Sequence, residues 1–134
     1  MYETAKDREN EERLMNLMAE YTGFQMVKTP PFYVVDAIAI KDGEVKCFFE
    51  FKCRENSAQK FPTAAIGMNK VIAAHNLANA TKLKVWLVIE WTDKTGFIDM
   101  TSEHEIGIIT RQDRGKTDLM AMFPIVGFKD LNLY

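Results

Sequence analysis

The sequence predicts a mixed α/β fold of the α+β class, with a central mixed sheet flanked by helices. Three observations predict it: an amphipathic helical repeat opens the chain, two strand-like runs follow around a turn signal, and a second helical stretch leads into a strand apolar on both faces.

Residues 3–21 read as the first helix. Leu14, Leu17, Met18 and Tyr21 recur at helical spacing, acids gather toward the N-terminal end, and Gly23 stands just past the last turn. Pro30-Pro31 breaks the chain. Residues 32–40 (FYVVDAIAI) read as a strand, Lys41-Asp42-Gly43 as a turn, and 44–53 as the returning strand. A polar loop over 54–62 leads to a second helix over 63–80. The run 84–91 (KVWLVIEW) is apolar on both faces except at Glu90, as suits a buried strand joined to the preceding one by a right-handed crossover. Residues 97–100 and 106–109 read as short strands, 111–116 (RQDRGK) as a charged loop, and 119–123 alternate weakly. No repeat or internal boundary interrupts this order. We expect one domain over 1–134, with a core over about 3–91 and a β-rich extension over 92–134.

Composition narrows the function classes. Hydrophobic residues at 47% and charged residues at 27% exclude bulk disorder, and a net charge of −2 gives no global attraction to nucleic acid. No apolar run approaches the ~20 residues that span a bilayer. The polar N-terminus lacks a secretory signal, so the cytosol is the expected compartment. Cys47 and Cys53 fall on one strand, roughly 20 Å apart at ~3.3 Å per residue, and are expected as reduced core residues. They have no histidine partners for zinc, and His75 and His104 are expected to be structural or surface residues. The methionines read as core gap-fillers. There is no phosphate loop, dinucleotide fingerprint or nucleophile–histidine pair.

Chemistry concentrates on the hairpin. Alternation puts Glu50 and Lys52 on one face, and Phe49, Phe51 and Cys53 on the other. Whether Asp36 joins Glu50 depends on the loop. A two-residue Asp42-Gly43 loop would pair Asp36 with Phe49 and turn it away. We expect a three-residue loop that pairs Ile40 with Glu44 and sets Asp36 opposite Phe48, diagonal to Glu50; only an odd loop or a compensating bulge makes a site. Two carboxylates converging from adjacent strands suit a hard cation such as magnesium or manganese. A neighbouring lysine suits phosphodiester hydrolysis, where it orients water or stabilises developing charge. Taken alone, Glu-x-Lys arises by chance roughly 0.5 times in a chain this long, and a cross-strand ion pair would look similar.

Order and context add more. A helix with an acid, a strand with Asp36, a turn, a strand with Glu50-Phe51-Lys52, a helix and a buried strand together resemble the PD-(D/E)xK nuclease superfamily, over about residues 9–91. Its members include restriction endonucleases and Holliday-junction resolvases. The wording Glu50-Phe51-Lys52-Cys53-Arg54, then Phe61-Pro62-Thr63 and Lys70, and Arg111-Gln112-Asp113-Arg114-Gly115 with Asp118, is similar to small bacteriophage nucleases. Val35 stands where the motif's name has proline. The resemblance implies a restriction-endonuclease-like core of αβββαβ type and a divalent-metal-dependent DNA nuclease in phage DNA recombination, repair or processing, in the host cytoplasm. It implies that Asp36, Glu50 and the Phe51 backbone carbonyl bind Mg2+ or Mn2+, that Lys52 is the catalytic lysine, and that an acid of the first helix assists.

On a helical wheel the apolar stripe takes in Asp7 and, at its edge, Glu11, while Glu9 and Glu12 fall opposite. Glu11 is chosen because the family's acid stands one turn before the first core residue, here Leu14; Asp7 and Glu12 are the alternatives. Lys70 lies on the wheel face of Ile66, Ala73 and Leu77, where it either covers apolar surface or reaches a phosphate. Asn69 or Gln59 could supply a similar contact. Arg54, Lys60, Arg111, Arg114 and Lys116 are candidate phosphate contacts or simply solvated loop charges. Apolar residues on both sides of the second helix leave room for a homodimer or higher homo-oligomer, unless the C-terminal third covers them. The rival reading is a nuclease fold that binds nucleic acid or a protein partner without cutting.

Overall fold

The computed structural model describes residues 4–111 and 116–131, with Arg111 and Lys116 described in backbone only. Helix α1 (Ala5–Thr22) begins at a capping box: the Asp7 N–H donates to the Thr4 hydroxyl and the Thr4 N–H donates to the Asp7 carboxylate. Gly23 ends it in the left-handed conformation, at φ 74°. Strands β1 (Gln25–Lys28), β2 (Ala37–Lys41), β3 (Glu44–Cys53), β4 (Thr63–Gly67) and helix α2 (Met68–Thr81) follow. The remainder is β5 (Lys84–Glu90), β6 (Thr95–Asp99), β7 (Glu105–Arg111), β8 (Lys116–Pro124) and β9 (Lys129–Asp130), with a short 3-10 turn at Ile125–Gly127.

The main sheet runs β1-β2-β3-β5-β6-β9, and a smaller one runs β4-β8-β7. β3 and β5 are parallel and their neighbours antiparallel, so the main sheet is mixed. Alternation along β3 divides the core. Cys47, Phe49 and Phe51 pack with Leu14 and Met18 of α1 on one face. Phe48 joins Val85, Leu87 and Ile89 against Val71 and Ala74 of α2 and Ala121 and Phe123 of β8 on the other. Among the described residues no helix is long and apolar enough to cross a membrane.

The α+β class and central mixed sheet hold, and so do α1, β3 and β5. Several details differ. The expected strand at 32–40 begins only at Ala37, because Pro30-Pro31 starts a turn. A short strand, β1, precedes that turn and was not expected. The expected helix over 63–80 is two elements: residues 63–67 are extended against β8, and the helix starts at Met68. Tyr21 is 40% exposed rather than core. The C-terminal third extends the main sheet through β6 and β9, and Ala121 and Phe123 of β8 lie in the same apolar cluster as Val71 and Ala74 of α2.

The hairpin loop also differs. Asp42 (φ 53°) and Gly43 (φ 77°) form a two-residue turn with Lys41 opposite Glu44, the geometry that an Asp-Gly pair favours. Parity is rescued two pairs later. The register shifts between Ala39 and Ile40, so Ile40 faces Val45 but Ala39 faces Cys47, leaving Lys46 as the extra residue of a bulge. Ala37 therefore pairs with Phe49, and Asp36 comes opposite Glu50 rather than Phe48.

Candidate metal and nucleic-acid site

Asp36 stands where β2 stops pairing. Its N–H donates to the Phe49 carbonyl at 2.9 Å, and its carboxylate accepts the Phe51 N–H at 2.8 Å, replacing the main-chain acceptor that a longer β2 would supply. A strand residue's N–H and C=O point to the same side. The Phe51 carbonyl therefore also faces the side where β2 has ended, next to Asp36.

Glu50 is 2% exposed. Its Oε2 lies 3.8 Å from the Lys52 ammonium and 3.7 Å from that of Lys70, at the start of α2. Its Oε1 is buried and has no hydrogen-bond partner among the described residues. Burial first, and the Asp36 charge second, push the Glu50 carboxyl up to about 7 against the pull of Lys70 and Lys52; Glu11 adds a smaller upward push. A buried carboxylate oxygen left unpartnered is costly, and a hard cation satisfies it. The residues present thus fit a divalent ion held by Asp36, Glu50 and the Phe51 carbonyl. Among the described residues no three His, Cys, Asp or Glu side chains converge as a ready-made cage.

Glu11 sits on α1, partly buried, with its Oε1 3.9 Å from Lys28 of β1. Asp7 is committed to the capping box and Glu12 is exposed. Lys60 is exposed, with its ammonium 5.4 Å from the ring of Phe61. Arg54 donates to the Ala65 carbonyl at 2.9 Å, so its guanidinium ties the end of β3 to β4 and is at least partly committed to that link. Arg114 and the side chains of Arg111 and Lys116 lie outside the described residues. Gln59 and Asn69 are exposed. Cys47 and Cys53 are free, as expected, and His104 is structural, bonded to the Ser102 carbonyl and packed on Phe123.

Sequence reasoning missed one feature of this end of the sheet. Arg13 of α1 forms a two-pronged pair with Glu90, its Nη1 2.5 Å and Nη2 2.7 Å from the two carboxylate oxygens. The available signal was Glu90 itself, a lone acid near the end of an otherwise apolar strand.

A mixed sheet with a helix on each face, and an aspartate placed across from Glu-x-Lys at the end of its central hairpin, defines the PD-(D/E)xK nuclease fold. The chain belongs to the family described as "Phage putative PDDEXK endonuclease", whose profile matches residues 1–132. No curated relative matches the sequence. Among solved structures, the fold is similar to Hjc, a Holliday junction resolvase of the archaeal hyperthermophile Archaeoglobus fulgidus. The TM-score is 0.59 at 13% identity, over 87% of this chain and 84% of that one.

Proposed function

We propose that this protein is a divalent-metal-dependent deoxyribonuclease that hydrolyses phosphodiester bonds in phage DNA recombination, repair or processing. The observation that carries the reading is the meeting of Asp36 and Glu50 across a bulged hairpin, with Glu50 Oε1 buried and without a hydrogen-bond partner among the described residues. Family membership and a resolvase-like fold support it.

Asp36, Glu50 and the Phe51 carbonyl would hold Mg2+ or Mn2+, and Glu11, whose charge acts on Glu50, is the acid of α1 that would assist. Such an ion polarises the phosphate and acidifies bound water. Lys52 holds its ammonium beside Glu50, where it orients the attacking water and neutralises charge developing on the phosphoryl oxygens. Lys70 approaches the same carboxylate from α2 and can reach a phosphate oxygen of the scissile strand. DNA is the partner. A two-fold dimer would suit cutting of both strands, and β7, an edge strand among the described residues with Ile106 and Ile108 exposed, offers a surface for a second copy.

The test is cleavage of labelled duplex, single-stranded, flapped and four-way-junction DNA with manganese, magnesium or chelator, alongside manganese binding by calorimetry. We expect metal-dependent cutting that falls at least about 100-fold in Lys52→Ala. Absence of both cutting and manganese binding would leave a nuclease fold used for binding alone.

A further inference from the structure

We propose that Phe32 is a stacking platform for an unpaired DNA base beside the carboxylate site, so that the protein prefers DNA carrying unpaired bases near the bond it cuts. The identity of the ligand as DNA rests on the nuclease reading above.

The argument begins with a local conflict. Pro30 to Tyr33 form a turn closed by the Tyr33 N–H on the Pro30 carbonyl at 3.2 Å. Phe32, at its third position, has φ 65°. Pro31 suits the second position of a type II turn, but the third is ordinarily glycine or asparagine, because a side chain there meets the backbone. A bulky aromatic at positive φ is an outlier that needs a reason.

Packing does not supply one. Phe32 is 93% exposed, and Tyr33 and Val34 are 46% and 38% exposed. The base of the same loop is locked. Val35 is 2% and Thr29 7% exposed, the Thr29 hydroxyl donates to the Val35 carbonyl, and the Thr29 N–H donates to the Asp36 carbonyl. The loop therefore holds an aromatic ring out into solvent from a fixed footing.

Its location supplies the reason. The loop runs directly into Asp36, and because β2 and β3 are antiparallel it stands at the sheet end that carries Glu50 and Lys52. A second exposed aromatic, Phe61, 53% exposed with Lys60 over its ring, lies on the loop that leaves β3 at that end. Lys52 and Lys70, set against the Glu50 carboxylate, and the exposed Lys60 are cations at this end that can meet a phosphate backbone. An exposed aromatic face at the end of a sheet that meets a phosphate backbone takes a nucleobase by stacking. Bases inside a perfect duplex are already stacked on each other, so the ring is open only to an unpaired one.

The test uses a 2-aminopurine-containing duplex, with the probe either paired or unpaired, and wild-type, Phe32→Trp, Phe32→Ala and Phe32→Asn proteins. We expect wild type and Phe32→Trp to quench the unpaired probe and bind that DNA about tenfold more tightly than the paired duplex. Phe32→Ala and Phe32→Asn should lose both effects. Phe32→Asn should also melt at a higher temperature than wild type, because asparagine suits the turn. A preference that survives Phe32→Ala, or no preference in wild type, overturns the proposal while leaving DNA binding intact. A lower melting temperature for Phe32→Asn also overturns it, by making Phe32 a structural residue. Failure of wild type to bind either DNA would instead remove the nuclease reading on which it rests.

Discussion

Arg13 grips both carboxylate oxygens of Glu90, joining the middle of α1 to the end of the central strand β5. The bond holds Glu90 below the usual carboxylate range, and the pair is partly exposed. Planar two-pronged pairs hold orientation better than single contacts. The pair fixes how α1, and with it Glu11, lies over the sheet end. In a double-mutant cycle of Arg13→Ala and Glu90→Gln, read by urea denaturation, we expect a coupling of about 1 kcal/mol. A coupling near zero would remove the pair's role as a clamp.

Glu50 makes stability depend on pH. Its carboxyl lies at about 7 in the folded state against 4.5 for an ordinary glutamate. The folded protein therefore holds this proton across a window in which the unfolded chain has lost it, and stability falls as pH rises from about 4.5 to 7. The shift corresponds to on the order of 3 kcal/mol. Burial sets most of it; the charges that add to or oppose it are Asp36 just ahead of β2, Lys70 on α2, Lys52 on its own strand and Glu11 on α1. In chelator, wild type should lose melting temperature over that window more steeply than Glu50→Gln, and the variant should be the more stable at pH 8. Equal slopes in the two proteins would show that Glu50 titrates normally.

Lys70 is separable from Lys52 by salt. It sits at the start of α2, partly exposed, and reaches the site from a different element. If it meets a backbone phosphate, Lys70→Gln should lower the magnitude of the slope of log affinity against log salt by about 0.9 for duplex DNA. An unchanged slope would confine Lys70 to balancing the Glu50 charge.

What the sequence revealed, and what it hid, follows from the range of the forces involved. β3 and β5 were legible because alternation or a continuous apolar run is a local signature, and α1 because its stripe and caps lie within one segment. β4 was not. Thr63-Ala64-Ala65-Ile66 suits helix or strand, and the choice is made by β8, more than fifty residues later, through pairs such as Ile66 with Ala121. Phe32 to Val34 carry strand-forming side chains, yet the two prolines ahead of them impose a turn. Asp36, Glu50 and Lys52 were legible as residue types, while their meeting rested on parity. The Asp-Gly signal for a two-residue turn was present and correct. The bulge at Lys46 had no local signature, since it reconciles the tight turn with a register that the core fixes from the other end.

That reconciliation makes the last prediction. The register from Ala37–Phe49 onward is anchored by Phe48 in one core and Phe49 in the other, while the turn fixes Lys41 opposite Glu44. Lys46 is the one residue in excess between these constraints. Deleting it lets Ala39 face Cys47 and Ile40 face Val45 in an unbroken ladder, with Asp36 still opposite Glu50. Deleting Ile40 from β2 instead leaves two residues of β3, Val45 and Lys46, in excess; an unbroken ladder from the turn then pairs Asp36 with Phe48, which keeps its face but moves it two residues along β3 from Glu50 and breaks the Ala37–Phe49 register. We therefore expect the Lys46 deletion to fold with a stability within about 1 kcal/mol of wild type and to bind manganese as wild type does. The Ile40 deletion, with Asp36 diagonal to Glu50 and the Ala37–Phe49 register lost, should be destabilised by more than about 1 kcal/mol and bind manganese more weakly than wild type. Loss of manganese binding in a folded Lys46 deletion would mean that the bulge shapes the site directly, beyond setting its parity.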